Sequence, residues 1–232
     1  MRQAAGNLDT TQQLILFDID GTLLMGNGIG REATRRAMLD MFGTDGRLQT
    51  HHFGGKTDWY TLTEILDVPE ADIAQGMTHY EQILARHMAD LIIDFPITVL
   101  PGALEAVTHL RQRDDVILGI VTGNVSSTAP IKLQAAGFDP AWFPVGAFGS
   151  EALHRNDLPP LALARAVEHA RCTIEVDCVT IIGDTVADIE CARALGARAV
   201  AVTTGFSQRG ALVDAKPDFL LDSLLELLPI LV

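Results

Sequence analysis

The sequence predicts an α/β fold: a doubly wound, Rossmann-like parallel sheet forming the core, with a helical cap domain inserted after the first strand. Three observations predict it. Short apolar runs alternate with helical patterns from residue 100 onward; two of those runs end in paired aspartates; and residues 27–98 carry helical periodicity with no strand pattern. The expected division is residues 1–26 and 99–232 for the core and 27–98 for the cap.

The first apolar run, residues 14–17, reads as a buried strand, and Gly26, Gly28 and Gly30 then make a flexible, hinge-like passage into a helix over 31–42. These glycines do not form GxGxxG, because Arg31 stands in the last position, so a dinucleotide site is disfavoured. A longer helix follows from about Ala71, with Ile73, Met77, Tyr80, Ile83, Leu84, His87, Met88 and Leu91 at helical spacing. Its methionines and tyrosine read as ordinary packing. After Leu100, Pro101 and Gly102 the texture changes to a helix over 103–111, a strand over 116–121, a helix over 131–136 stopped by Gly137, and a short strand over 143–148. A helix over 160–170, a strand over 179–182, a helix over 188–195 closed by Gly196, a strand over 199–202 and a last helix near 224–228 complete the alternation.

Composition narrows the function. With 232 residues and 48% hydrophobic side chains the chain can bury a substantial core. A net charge of −13 without any dense Lys/Arg run argues against nucleic acid or an anionic membrane as partner. Cys172, Cys178 and Cys191 are odd in number and lack CxxC spacing, which disfavours a disulfide framework or a zinc site and fits a reduced cytoplasm. The start, MRQAAGNLDTTQQ, is polar and the apolar run behind it is too short for a leader or a spanning helix, so a soluble cytoplasmic protein is expected.

Asp18 and Asp20 in LILFDIDGT and Asp184 and Asp188 in VTIIGDTVAD each follow a buried strand. Parallel strands ending this way bring four carboxylates to the carboxyl edge of the sheet, where open α/β folds place their ligands. Such a cluster needs a compensating cation, and hard oxygen ligands suit Mg²⁺.

Together with Val121-Thr122-Gly123-Asn124 after another strand, these segments resemble the haloacid dehalogenase (HAD) superfamily of phosphohydrolases over nearly the whole chain, in particular its phosphoglycolate phosphatase-like members with a helical, C1-type cap. The resemblance implies that Asp18 attacks phosphorus to form an aspartyl phosphate and that Asp20 acts as acid and then as base. It implies Mg²⁺ held by Asp18, the main-chain carbonyl of Asp20, Asp184 and Asp188, with Thr122, Gly123 and Asn124 binding the phosphoryl group. The family's basic third motif is usually a lysine before the helix that precedes GD. This chain has only Lys56, Lys132 and Lys216, none of them there, so the position falls to Arg155 in HRNDLPP, with Lys132 as substitute cation.

In the cap, His51-His52-Phe53-Gly54-Gly55-Lys56-Thr57-Asp58 resembles the GKTD-type loop that faces the core and selects substrates. Gly55 with Gly54 would let backbone approach a ligand, and Lys56, with His52, would meet a second anionic group. The implied activity is a Mg²⁺-dependent phosphatase of a small phosphorylated metabolite, phosphoglycolate-like, working as a monomer or homodimer. A phosphosugar mutase is the first rival and shares the same core. A phosphonatase would need a Schiff-base lysine in the cap, for which Lys56 is a poor candidate; a dehalogenase lacks the second aspartate; and in a phosphate-responsive regulatory module Asp20 would destroy the signal.

Overall fold

The computed structural model describes residues 12–66 and 70–231; most of the polar amino-terminal segment on which the expectation of a leaderless chain rests lies outside them. No helix among the described residues is long and apolar enough to cross a membrane.

The chain opens with β1 (Gln13–Phe17), turns through the first aspartate pair and leaves the sheet by β2 (Leu24–Met25). Three helices follow: α1 (Ile29–Phe42), α2 (Asp58–Leu66) and α3 (Glu70–Leu91). The chain returns by β3 (Thr98–Val99), which pairs antiparallel with β2, Leu24 opposite Val99 and Met25 opposite Thr98. The chain's exit from the core and its return are thus zipped into a ribbon, and the Asn27 side-chain amide tightens it by donating to the Pro96 carbonyl at 2.8 Å and to Thr98 Oγ1 at 3.1 Å.

From there helix and strand alternate as the sequence predicts: α4 (Ala103–Leu110), β4 (Val116–Thr122), α5 (Ala129–Ala135), β5 (Val145–Phe148), α6 (Leu158–Ala170), β6 (Val179–Gly183), α7 (Val186–Leu195) and β7 (Arg198–Val202). Two elements unmarked by periodicity complete it, α8 (Arg209–Asp214) and β8 (Phe219–Leu221). The six long-crossover strands form one parallel sheet in the order β5-β4-β1-β6-β7-β8. The winding reverses at β1, which makes the crevice beyond its carboxyl end the natural ligand site.

Period-two alternation within β1 divides the core. Ile15 and Phe17 pack with Val107, Leu110, Leu118 and Ile120 on one face. Leu14 and Leu16 pack with Leu158, Ala162, Ile181 and Ile189 on the other. Both faces being buried explains why these strands read as unbroken apolar runs; truncating a side chain such as Phe17 to alanine costs about 3–5 kcal/mol at such a site. The helices of residues 29–91 have a third core of their own, built on Ile29, Met38, Leu62, Ile73, Met77, Tyr80 and Met88. His87, in the same stripe, is half-buried and meets Asp40 of α1 at 2.8 Å.

Element ends differ from expectation where proline or capping intervenes. The strand expected from residue 143 begins at Val145, after Pro144, which has no N–H to give a ladder. The helix expected over 224–228 is instead two 3₁₀ turns, Leu224–Glu226 and Leu228–Ile230, broken because Pro229 removes a donor and disfavours helix at the residue before it. Helix α6 starts earlier than expected, at Leu158, since Pro159 and Pro160 sit in a first turn whose N–H groups have no helical partner anyway.

Candidate functional site

The turn after β1 is a tight loop. Leu23 and Leu24 N–H groups both return to the Ile19 carbonyl, and Gly21 N donates to the Leu24 carbonyl at 2.8 Å. Gly21 adopts φ 90°, and a Cβ there would strike the Asp184 carboxylate, so only glycine lets the first acidic loop lie against the second. Asp18 N–H bonds the Ile182 carbonyl at 2.9 Å, extending the β1–β6 pairing by one residue and fixing Asp18 beside the end of β6.

Asp18, Asp184 and Asp188 are buried and offer oxygens within 4.8 Å of one another. Asp184 is fully enclosed; its oxygens accept from Thr22 Oγ1 at 3.3 Å and from Phe206 N at 2.6 Å. Asp188 serves a second purpose as the N3 member of a capping box: Thr185 N and Oγ1 donate to its Oδ2 at 3.0 and 2.6 Å, so helix α7 starts two residues before Asp188 rather than at it. Burial, followed by repulsion from Asp18 and then Asp188, pushes the Asp184 carboxyl up to about 8. Burial likewise raises Asp18 to about 6, against the opposing pull of Arg155.

Arg155, on a 3₁₀ turn (Arg155–Asp157) between β5 and α6, enters this cluster. Its Nη2 donates to Asp18 Oδ1 at 2.8 Å and to Asp188 Oδ1 at 2.5 Å, while its buried Nε has no hydrogen-bond partner among the described residues. Lys132, the other candidate cation, is also at the site but on another carboxylate. From α5 its ammonium donates to Asp20 Oδ2 and to Asn124 Oδ1, both at 2.7 Å. Asn124 ties that pair to Thr122, its amide nitrogen donating to Asp20 Oδ2 and to Thr122 Oγ1 at 2.8 Å each.

Four carboxylates thus face two fixed cations, and Asp184 has no cationic partner among the described residues. An all-oxygen pocket short of two positive charges is matched by one hard divalent ion, so the residues present fit such a metal. Asp20 differs from the other three: its side chain lies with Lys132 and Asn124, outside the close trio.

The cap loop rests on the core. Asp58 N donates to the Gly123 carbonyl at 2.8 Å and Trp59 N to the Gly149 carbonyl at 3.0 Å, seating the start of α2 on the ends of β4 and β5. Gly123 has no room for a Cβ, which would collide with the Lys56 carbonyl. Gly55, at φ 76°, lies against Ala187 and Thr185, so its missing side chain admits the second acidic loop as well as opening the cavity. Arg31 braces the same loop, its guanidinium donating to the Leu48 and His51 carbonyls and lying 4.9 Å from the Phe53 ring centre.

Lys56 departs from the expected free cation. Its ammonium bonds Glu64 Oε2 at 2.6 Å and lies 5.5 Å from the Tyr60 ring centre. His51 is buried, with Nε2 3.3 Å from Thr61 Oγ1, whereas His52 is exposed and borders the cavity.

One cavity of roughly 590 Å³ joins these parts, lined by Asp18, Asp20, Thr122, Lys132 and Arg155 from the core and by Thr34, Asp58, Leu84 and Met88 from the cap. Its size suits a small metabolite. Asp58 went unassigned in the sequence although it sits in the quoted loop. It lines the cavity, its Oδ2 accepts from Val125 N at 3.1 Å, and burial pushes it up to about 6 despite Lys132 nearby. It opens α2, a helix that the sequence does not announce, so no pattern singles it out.

A sequence profile described as haloacid dehalogenase-like hydrolase matches residues 12–196. The phosphoglycolate phosphatase of Synechococcus elongatus is 31% identical over 219 residues, covering 93% of this chain and 95% of that protein. Pyrophosphatase PpaX of Bacillus pumilus is 24% identical over 224 residues, covering 96% and 97%. Among solved structures, CbbY of Rhodobacter sphaeroides in complex with xylulose-(1,5)bisphosphate superposes with a TM-score of 0.72 at 20% identity, over 93% of this chain and 96% of that one. A hydrolase from Pseudomonas syringae gives 0.69 at 24%, over 94% and 97%. At those identities the two structures speak for the fold.

Proposed function

Because the chain belongs to the haloacid dehalogenase-like hydrolases and is a phosphatase acting on phosphate esters, we propose that it is a Mg²⁺-dependent phosphomonoesterase of small metabolites that works through an aspartyl phosphate on Asp18. The observation that carries this reading is the pairing on the core side of the cavity. Asp18 gives one oxygen to Arg155 Nη2, its other oxygen has no hydrogen-bond partner among the described residues, and Arg155 keeps a buried, unpartnered Nε beside it. An attacking oxygen and an unsatisfied cationic donor on one site are what a phosphoryl dianion requires.

In the first step an Asp18 oxygen bonds to phosphorus and the ester P–O bond breaks, with Asp20 delivering a proton to the leaving oxygen. In the second, Asp20 takes a proton from water, the resulting hydroxide attacks phosphorus, and the Asp18 carboxylate leaves as inorganic phosphate forms. Thr122 and the amides of Gly123 and Asn124 support the phosphoryl oxygens, and the Lys132–Asp20–Asn124 arrangement holds Asp20 in position for both transfers. A divalent cation held by Asp18, Asp184 and Asp188, with the Asp20 main-chain carbonyl, would neutralise charge on the phosphoryl group and its nucleophile.

The finer expectation of a phosphoglycolate-like substrate is supported by the Synechococcus relative, while the Lys56–Glu64 pair engages the cation meant to read its carboxylate. Phosphate release from a panel of phosphorylated metabolites, with Mg²⁺ and with EDTA, tests the proposal together with Asp18→Asn. Turnover should need the metal and vanish in the variant; residual activity within tenfold of wild type would remove Asp18 as nucleophile.

A further inference from the structure

The cap side of the cavity is built differently from an anion site. Three of the cations that border the cavity are already paired with carboxylates: Arg155 with Asp18 and Asp188, Lys132 with Asp20, Lys56 with Glu64. Arg31 keeps its charge, but both of its Nη groups donate to the carbonyls of Leu48 and His51, which ties its guanidinium to the cap loop. What the leaving group meets there is the Asp58 carboxyl, the hydroxyl of Thr34 and the apolar side chains of Leu84 and Met88.

Asp58 forms no ion pair among the described residues, and the one hydrogen bond recorded for its side chain comes from Val125 N to Oδ2. Its second oxygen is therefore an acceptor in need of a donor, which water or a substrate hydroxyl supplies. A carboxylate or second phosphate set against it would place like charges a few Å apart in a partly buried site. Resting on the phosphatase reading above, we infer that the cavity selects an uncharged, hydroxyl-bearing alkyl phosphate, with Asp58 as the specificity residue that accepts the hydroxyl and turns away a second anion. This sets the chain's preference apart from phosphoglycolate itself.

A matched pair tests it. 2-Hydroxyethyl phosphate and 2-phosphoglycolate have the same length and differ in carrying a terminal hydroxymethyl or a carboxylate. The wild-type enzyme should favour the hydroxyl ester in kcat/KM by at least about tenfold, the order expected for one misplaced charge worth about 1.4 kcal/mol. Asp58→Asn keeps the acceptor for Val125 N and removes the charge, so the ratio should shrink severalfold, mainly through a gain on phosphoglycolate. Wild-type preference for phosphoglycolate, or a ratio unchanged in Asp58→Asn, would overturn the inference. Calorimetric binding of both esters to Asp18→Asn gives the same ranking without turnover, with a tighter grip on phosphoglycolate again overturning it. Failure of the phosphatase reading is distinct, since then neither ester releases phosphate while the binding order still decides the role of Asp58.

Discussion

Arg155 lies between Asp18 and Asp188, and its buried Nε has no hydrogen-bond partner among the described residues. Removing it leaves two buried carboxylates without their cation and, in the proposed reaction, a phosphoryl group without its donor. Arg155→Ala should lose about 10² to 10³ in kcat, the usual penalty for deleting one preorganised charge stabiliser, whereas Arg155→Lys should retain much of it as a point charge. Steady-state kinetics on both variants decide it: an Arg155→Ala enzyme near wild type alongside an inactive Lys132→Ala would move the role to Lys132. The carboxylates were legible because each follows a strand end that the apolar run announces. Arg155 was legible because the three lysines lie elsewhere in the chain. That Lys132 meets Asp20, and that Lys56 meets Glu64, was not legible. The first partnership spans 112 residues, and the second joins a loop to a helix that no periodicity announced.

At the scale of elements, the cap is pinned to the core by α3 as well as by α2. Glu81 Oε1 accepts from Ser126 N at 3.0 Å, Ser126 Oγ at 2.8 Å and Ser150 Oγ at 2.6 Å, while Ser127 Oγ donates to the Glu81 carbonyl at 2.9 Å. One carboxylate thus gathers the loops after β4 and β5 beneath the cap. Glu81→Ala should destabilise the protein by about 1.5–3 kcal/mol, the range for hydrogen bonds to a charged group, lowering Tm by several degrees. It should also raise KM more than it lowers kcat, since cap seating bears on binding. A thermal melt and a KM both equal to wild type would mean that the contact is idle. The long elements were readable from their periods. Elements β2, β3 and β8 are two or three residues long and carry no period to detect, and α2, DWYTLTEIL, is short and rich in aromatic and β-branched residues with modest helix preference.

Across the whole molecule, the acidic centre couples folding to metal. In the metal-free protein Asp18 and Asp184 are raised from an ordinary 3.8 to about 6 and about 8, chiefly by burial. An acid whose folded pKa is raised holds its proton more tightly in the folded state. Its contribution to stability is therefore full below about 3.8 and is lost as pH climbs through about 6 for Asp18 and about 8 for Asp184. A divalent cation takes the place of those protons, so it binds more tightly, and stabilises more, as pH rises over the same window. Surface carboxylates such as Glu32, held at about 2 chiefly by its hydrogen bond to Arg35, cancel when melts with and without metal are compared at one pH. At about a hundredfold excess over Kd the metal should add about 2.7 kcal/mol, or roughly 5–10 °C in Tm for a chain of this size. The gain in Tm between EDTA and saturating Mg²⁺ should accordingly be small near pH 5 and reach that size near pH 8.5. An equal gain at both pH values would mean that metal binding is not linked to protons on Asp18 and Asp184, and no gain at either would mean that these carboxylates do not hold the ion.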